Sequence, residues 1–164
     1  MSDLPKSPQV KVLSYADDIT LAVVSDTAGA AQQIMQRYLD SLDIWLKKWQ
    51  FTINPLKSSL QLLTKKRYVP PINFLISKHA IEHVPVQRVL GILFDAPKLT
   101  FQAHITYLKN DCLRRLAPLQ ALSGSSWGAS RLLLRQVYIS FIRSKLEYGC
   151  VLFQLDDIAS KHSK

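Results

Sequence analysis

Cysteine is nearly absent from this 164-residue chain, with only Cys112 and Cys150, far apart. Neither spacing nor number suits a disulfide framework or a zinc site, so both read as reduced, partly buried thiols on helical patterns, in an intracellular setting. No apolar run approaches the ~18 residues that a membrane span needs. Met1 is followed by Ser2, Asp3 and prolines at 5 and 8, unlike a secretory leader. A soluble protein without a membrane role is expected. Acids are also scarce: 12 Asp and Glu stand against 21 Lys and Arg, a net charge of +9. That balance suits a polyanionic partner, although solvated lysine-rich faces are common. The excess is greatest after residue 47, as in Lys47-Lys48, Lys65-Lys66-Arg67 and Arg114-Arg115. With 48% hydrophobic residues the chain can bury a core of about one domain.

The acids that are present include one conspicuous pair. Tyr15-Ala16-Asp17-Asp18 lies inside the run Val10 to Val24. Val10, Val12 and Leu13 lead in, while Ile19, Leu21, Val23 and Val24 lead out, with β-branched enrichment and partial alternation. Two short strands joined at the acids follow, with the acids at the tip of a buried hairpin. A carboxylate near an apolar sheet needs hydrogen bonds, a cationic side chain or a metal. Two side by side repel, and a divalent cation relieves this. Mg²⁺ takes oxygen ligands and is held by one or two carboxylates together with substrate phosphates, which suits nucleotide chemistry. A plain polar turn between strands is the competing reading.

The coarse order is strand, acid turn, strand, helix, short strands, then two helices: an α+β chain. Asp26 or Thr27 can cap a helix to about Trp49, with Ile34, Tyr38, Leu42, Trp45 and Trp49 on one stripe. Asn54-Pro55 breaks it. Leu60, Leu62 and Thr64 read as a returning strand, Lys65 to Arg67 as a loop, Tyr68 to Pro71 as a turn, and Ile72 to Ile76 and Val89 to Phe94 as strands. Ile105, Leu108, Cys112, Leu116 and Leu119 form one helical stripe; Leu133, Val137, Phe141 and Lys145 form a second beyond the break at Ser123 to Ser126. Residues 1–97 and 98–155 are expected as two lobes, with 156–164 a frayed tail. His79 and His83 are four apart, but Pro85 and strand-like neighbours argue against a helical metal pair.

Tyr15-Ala16-Asp17-Asp18 with Ile19-Thr20-Leu21 resembles the catalytic motif of reverse transcriptases of non-LTR, jockey-like retrotransposons. The resemblance continues in order: Asp3-Leu4-Pro5 upstream, Trp49 to Pro55 with Lys57-Ser58 downstream, then Val89-Leu90-Gly91, Leu99-Thr100-Phe101, and Leu146-Glu147-Tyr148-Gly149. It spans about residues 2 to 153. The family implies a partial polymerase palm, an antiparallel sheet with a helix behind it, over 1–97, and a helical thumb or connection over 98–155. It implies two-metal nucleotidyl transfer with Mg²⁺ or Mn²⁺, an RNA template, a DNA primer and deoxynucleoside triphosphates, in the nucleus or cytoplasm. Asp17 is then a catalytic metal ligand with Asp18 in support, and Lys57 faces the triphosphate. Tyr15, Leu90 and Gly91 lie by the nucleic acid, and Arg114, Arg115, Arg131 and Arg135 reach backbone phosphates. Each arginine can equally be part of a solvated helix face, and Lys57 a solvated loop lysine.

The chain also departs from the family. A third carboxylate and the fingers belong upstream of this motif, and a cysteine- and histidine-rich tail is missing downstream. A palm-and-thumb fragment that is weak or dead alone is therefore expected. A basic nucleic-acid-binding remnant and a truncated product without function are the alternatives.

Overall fold

The computed structural model describes residues 3–67, 72–124 and 127–152. It is an α+β chain that divides into two compact units, residues 1–84 and 85–164. The break falls ahead of the hairpin that the sequence pattern grouped with the first lobe. Among the described residues the strands form four two-stranded sheets, three antiparallel and one parallel.

In the first unit, β1 (Val10–Tyr15) and β2 (Asp18–Val23) form a hairpin. Its register pairs Val10 with Val23, Val12 with Leu21 and Tyr15 with Asp18. Opposed residues share a face. One face therefore carries Val10, Val12, Ile19, Leu21 and Val23, and the other Lys11, Leu13, Tyr15, Asp18 and Ala22. Only the first is covered.

Its cover is α1 (Ala28–Lys48). Thr27 Oγ1 accepts from Ala30 N at 3.2 Å, so Thr27 is the N-cap. Tyr38, Leu39, Leu42 and Leu46 are buried along one stripe, with Ile34 and Trp45 partly buried beside them. Trp49, expected on that stripe, is instead half exposed beyond the helix end. Val10, Ile72, Phe74 and Ile76 complete the core. The strand edge at Leu75 is capped by a helix side chain: the Gln36 amide donates to Leu75 O at 3.0 Å and accepts from Leu75 N at 3.1 Å. It thereby imitates a ladder partner at β4 (Leu75–Ile76).

The returning strand is shorter than its pattern implies. β3 comprises only Ser59–Leu60 and runs parallel to β6 (Glu82–His83); β4 pairs with β5 (His79–Ala80). Ile72 and Phe74 alternate inward without a ladder of their own. The expected turn at Tyr68 to Pro71 lies outside the described residues. His79 and His83 are exposed.

In the second unit, the expected strand Val89 to Phe94 is a hairpin: β7 (Val86–Val89) and β8 (Ile92–Asp95) join through Leu90-Gly91. Both turn residues have positive φ, +47° and +86°, which matches a tight two-residue loop to the strand twist. α2 (Gln102–Ala121) packs on β8. Its buried stripe is His104, Leu108, Asp111 and Leu119: Leu108 and Leu119 are buried as expected, while His104 and Asp111 take the inward places expected of Ile105 and Cys112. Two polar residues are buried because partners hold them. His104 Nδ1 accepts from Leu93 N, and Asp111 accepts from Arg114 and Arg115. α3 (Arg131–Tyr138) continues through a π-helical segment, Ile139–Arg143, into α4 (Ser144–Glu147). Among those segments only Ile142 is fully buried, so Leu133 and Phe141 do not form the expected core stripe.

Phe101, at the start of α2, has a left-handed backbone and no side-chain cap. Asp95 replaces it from the end of β8. Its carboxylate accepts from the backbone N–H of Thr100, Phe101 and Gln102 at 3.2, 2.7 and 3.0 Å, and from the Thr100 hydroxyl at 2.5 Å. This satisfies orphan donors of the first turn with a charge of the favourable sign. Burial alone would raise the carboxyl's pKa; the Thr100 and backbone donors outweigh it and hold it below the ordinary value. A depressed pKa contributes stability that is present above the unfolded value near 3.9 and is lost as pH falls through the folded one. Asp95→Ala should therefore cost the second unit about 1–2 kcal/mol at neutral pH, read by urea unfolding, and remove part of its acid sensitivity below about pH 4.

Candidate functional site

Tyr15, Ala16, Asp17 and Asp18 form the tip of the first hairpin. Ala16 and Asp17 are the two loop residues, and Ala16 has φ +52°, the sign that two-residue hairpins need at their first central position. Asp18 opens β2 on the uncovered face, opposite Tyr15. Both acids are exposed, and Tyr15 is 67% exposed. The tip is thus not buried, contrary to the sequence expectation. Most apolar side chains of the hairpin lie on its other face, Leu13 being the exception on this one. Exposed carboxylate oxygens, which suit a hard divalent ion, are the chemistry the pair offers.

Two carboxylates match what Mg²⁺ commonly takes from protein, the remaining positions falling to water and phosphate oxygens. Among the described residues no group of three or more His, Cys, Asp or Glu could hold a metal.

Lys57 belongs to the same unit, on a 3₁₀ turn, Pro55–Lys57. Asn54 builds that turn: its Oδ1 accepts from Leu56 N at 3.0 Å, and its carbonyl accepts from Lys57 N and the Ser58 hydroxyl at 3.1 Å. The lysine is exposed and forms no ion pair among the described residues. Among the described residues no hydrogen bond joins it to Asp17 or Asp18.

Leu90, Gly91 and the four arginines lie in the second unit. The Leu90-Gly91 turn is clamped by a residue the sequence had placed only in a helical segment: Tyr148 Oη donates to Leu90 O at 2.6 Å. A Cβ on Gly91 would stand 3.4 Å from the Tyr148 ring. Leu90 holds its positive φ under this clamp and is half exposed. Such strain is maintained only where surroundings enforce it.

The arginines divide. Arg115 bonds Asp111 at 2.8 Å, reaches Phe141 O, and lies 4.6 Å from the centroid of the Phe141 ring, so it ties α2 to the π segment. Arg114 also pairs with Asp111, at 3.2 Å, but its side chain is 75% exposed. Arg131 and Arg135 are exposed on α3 without an ion pair among the described residues. Between residues 85 and 152, nine Lys and Arg face three acids. All three acids are engaged: Asp95 on the α2 N-terminus, Asp111 with its arginines, and Glu147 with Arg143 at 2.6 Å. The surplus positive charge is left facing outwards.

Sequence reasoning missed a second cationic group. Arg88 and Lys145 lie 5.4 and 5.9 Å from the centroid of the Tyr107 ring, and Tyr107 stacks on His104. Burial first, then Lys145 and Arg88, lowers the pKa of His104. These residues come from β7, α2 and α4, and no linear pattern links them.

Comparison with known proteins finds relatives of this chain. The chain is 30% identical over 149 residues to the probable RNA-directed DNA polymerase from transposon BS of Drosophila melanogaster, covering 90% of this chain. It is 30% identical over 115 residues to the RNA-directed DNA polymerase from mobile element jockey of Drosophila funebris, covering 70%. A probable polymerase from transposon X-element of Drosophila melanogaster matches at 27% over 87% of the chain. Over most of its length the chain is similar to RNA-directed DNA polymerases of mobile elements, those of Drosophila non-LTR retrotransposons. It spans only 12–16% of the length of these relatives. No family model matches the chain, and no solved structure matches it.

Tyr148→Phe should leave the helices intact, loosen the Leu90-Gly91 turn by about 0.5–1.5 kcal/mol, and speed amide hydrogen exchange at Leu90 to Ile92. Unchanged exchange there would show that the hydroxyl holds nothing.

Proposed function

We propose that this chain is a palm-and-thumb segment of a reverse transcriptase, with residues 1–97 derived from the palm and 98–155 from the thumb or connection. The observation that carries this reading is the Tyr-Ala-Asp-Asp hairpin: two carboxylates at a tight, exposed tip, in a chain 30% identical to named RNA-directed DNA polymerases. Asp17 would be the principal ligand of Mg²⁺ or Mn²⁺, and Asp18 a supporting one. Bound there, the ion would supply charge neutralisation for phosphoryl transfer. Tyr15 would offer its exposed ring to a base, and Lys57 its ammonium to a triphosphate. Leu90-Gly91 would present a rigid turn to the primer. Arg131 and Arg135 are the best phosphate contacts of the four arginines because they are exposed and unpaired, followed by Arg114. Arg115 is committed to Asp111 and Phe141.

The partners of this reading are an RNA template, a DNA primer and deoxynucleoside triphosphates. Two carboxylates are too few for the full two-metal site, so the isolated chain is proposed to bind nucleic acid without extending a primer. The engaged acids and outward cations of the second unit favour this basic binding mode.

On an RNA–DNA hybrid, the chain should bind with an affinity that falls steeply with salt, and Arg131→Gln with Arg135→Gln should flatten the log–log slope by about 1–2. With poly(rA)/oligo(dT) and Mg²⁺ or Mn²⁺ it should add no nucleotides. Extension by the chain but not by Asp17→Asn would instead show that it completes a working metal site. Salt-independent binding would remove the nucleic-acid reading.

A further inference from the structure

At the end of the first hairpin remote from the acids, the segment leading into β1 and one face of α1 enclose a concave pocket of about 260 Å³. That exceeds the ~10–15 Å³ needed for a single water. Lys6, Ser7, Gln9, Arg37 and Ser41 line it together with Ile34, Tyr38 and two prolines, and no carboxylate contributes. β1 rises about 3.3 Å per residue, so the pocket lies on the order of 15–20 Å from Asp17.

The wall is fixed rather than draped. Tyr38 Oη, from a side chain only 4% exposed, donates to Pro5 O at 2.8 Å and holds the entering segment on α1. Pro5 and Pro8 restrict the backbone on either side of the cation. Ser7 Oγ accepts from Gln9 N at 3.3 Å, which leaves its own proton to donate. The acid best placed to neutralise Arg37 along the helix, Asp40, accepts from Gln36 at 2.9 Å instead. Neither Lys6 nor Arg37 forms an ion pair among the described residues.

Two cations and a hydroxyl donor around a concavity free of carboxylates describe an anion receptor. We propose that Lys6, Ser7 and Arg37 bind a phosphate group, with the Arg37 guanidinium as the principal contact. This site is independent of any metal at Asp17 and Asp18. The phosphate can belong to a nucleic-acid strand or to a free small anion; the chemistry of recognition is the same.

The test is a ¹H–¹⁵N titration of the full chain, with inorganic phosphate in one arm and an unphosphorylated single-stranded DNA oligonucleotide in the other. The expected result is saturable shifts at the Ser7 and Gln9 amides and at Arg37 Nε–H, weakened about tenfold by Arg37→Gln and by Lys6→Gln, and partly restored by Arg37→Lys. Saturation by both probes identifies a receptor for phosphate as such, and saturation by the oligonucleotide alone identifies a backbone contact. Circular dichroism should be unchanged, because Lys6 and Arg37 are exposed. The proposal is overturned by an absence of shifts at these residues in both arms, or by shifts that persist at full strength in both glutamine variants.

Discussion

Burial of one face of the β1–β2 hairpin under α1 is the constraint on which the first unit depends. A two-stranded ribbon is marginal in water, and here Tyr38, Leu39, Leu42 and Leu46 give it a surface to cover. The same packing sets the chemistry at the tip. With Val10 opposite Val23 and Val12 opposite Leu21 on the covered side, Tyr15 and Asp18 must point outwards. A slip of one residue would exchange the faces and drive Asp18 into the core, so the hydrophobic register and the position of the acid are one fact.

The second unit is organised by its few acids. Asp95 supplies the start of α2, while Asp111 holds Arg115 against Phe141. Glu147 pairs with Arg143 one helical turn before it. Each acid is consumed in joining elements, and Lys98, Lys109, Arg131 and Arg135 are left without ion pairs among the described residues. A basic exterior follows from where the acids are used as much as from how many cations there are.

Local patterns gave much of this architecture away. The alternating run to Tyr15, the Asp-Asp turn, Thr27 as a cap and the Tyr38–Leu42 stripe were legible because strand and helix periods and capping chemistry are short-range. At Leu90-Gly91 the strand period read through the second hairpin as one strand, because its two turn residues sit between apolar runs. The α2 stripe was legible at Leu108 and Leu119 but not at its other places, because His104 and Asp111 are buried by virtue of partners at Leu93, Arg114 and Arg115, and apolar periodicity assigns polar residues to the surface. The Tyr148 clamp on Leu90, the two cations on Tyr107 and the pocket between Lys6 and Arg37 join residues distant in sequence. Only the fold brings them together. The exposure of the Asp17–Asp18 tip was hidden by its apolar flanks, most of whose side chains, Val10, Val12, Ile19, Leu21 and Val23, lie on the opposite face.

The most direct test of the hairpin as a metal-bearing element is paramagnetic broadening by Mn²⁺ in ¹H–¹⁵N spectra of the chain. Loss of signal centred on Ala16 to Ile19, reversed by excess Mg²⁺ and abolished when Asp17 and Asp18 are both changed to Asn, is the result expected. Broadening that is spread over the surface, or that survives the double substitution, would contradict a metal role for these carboxylates.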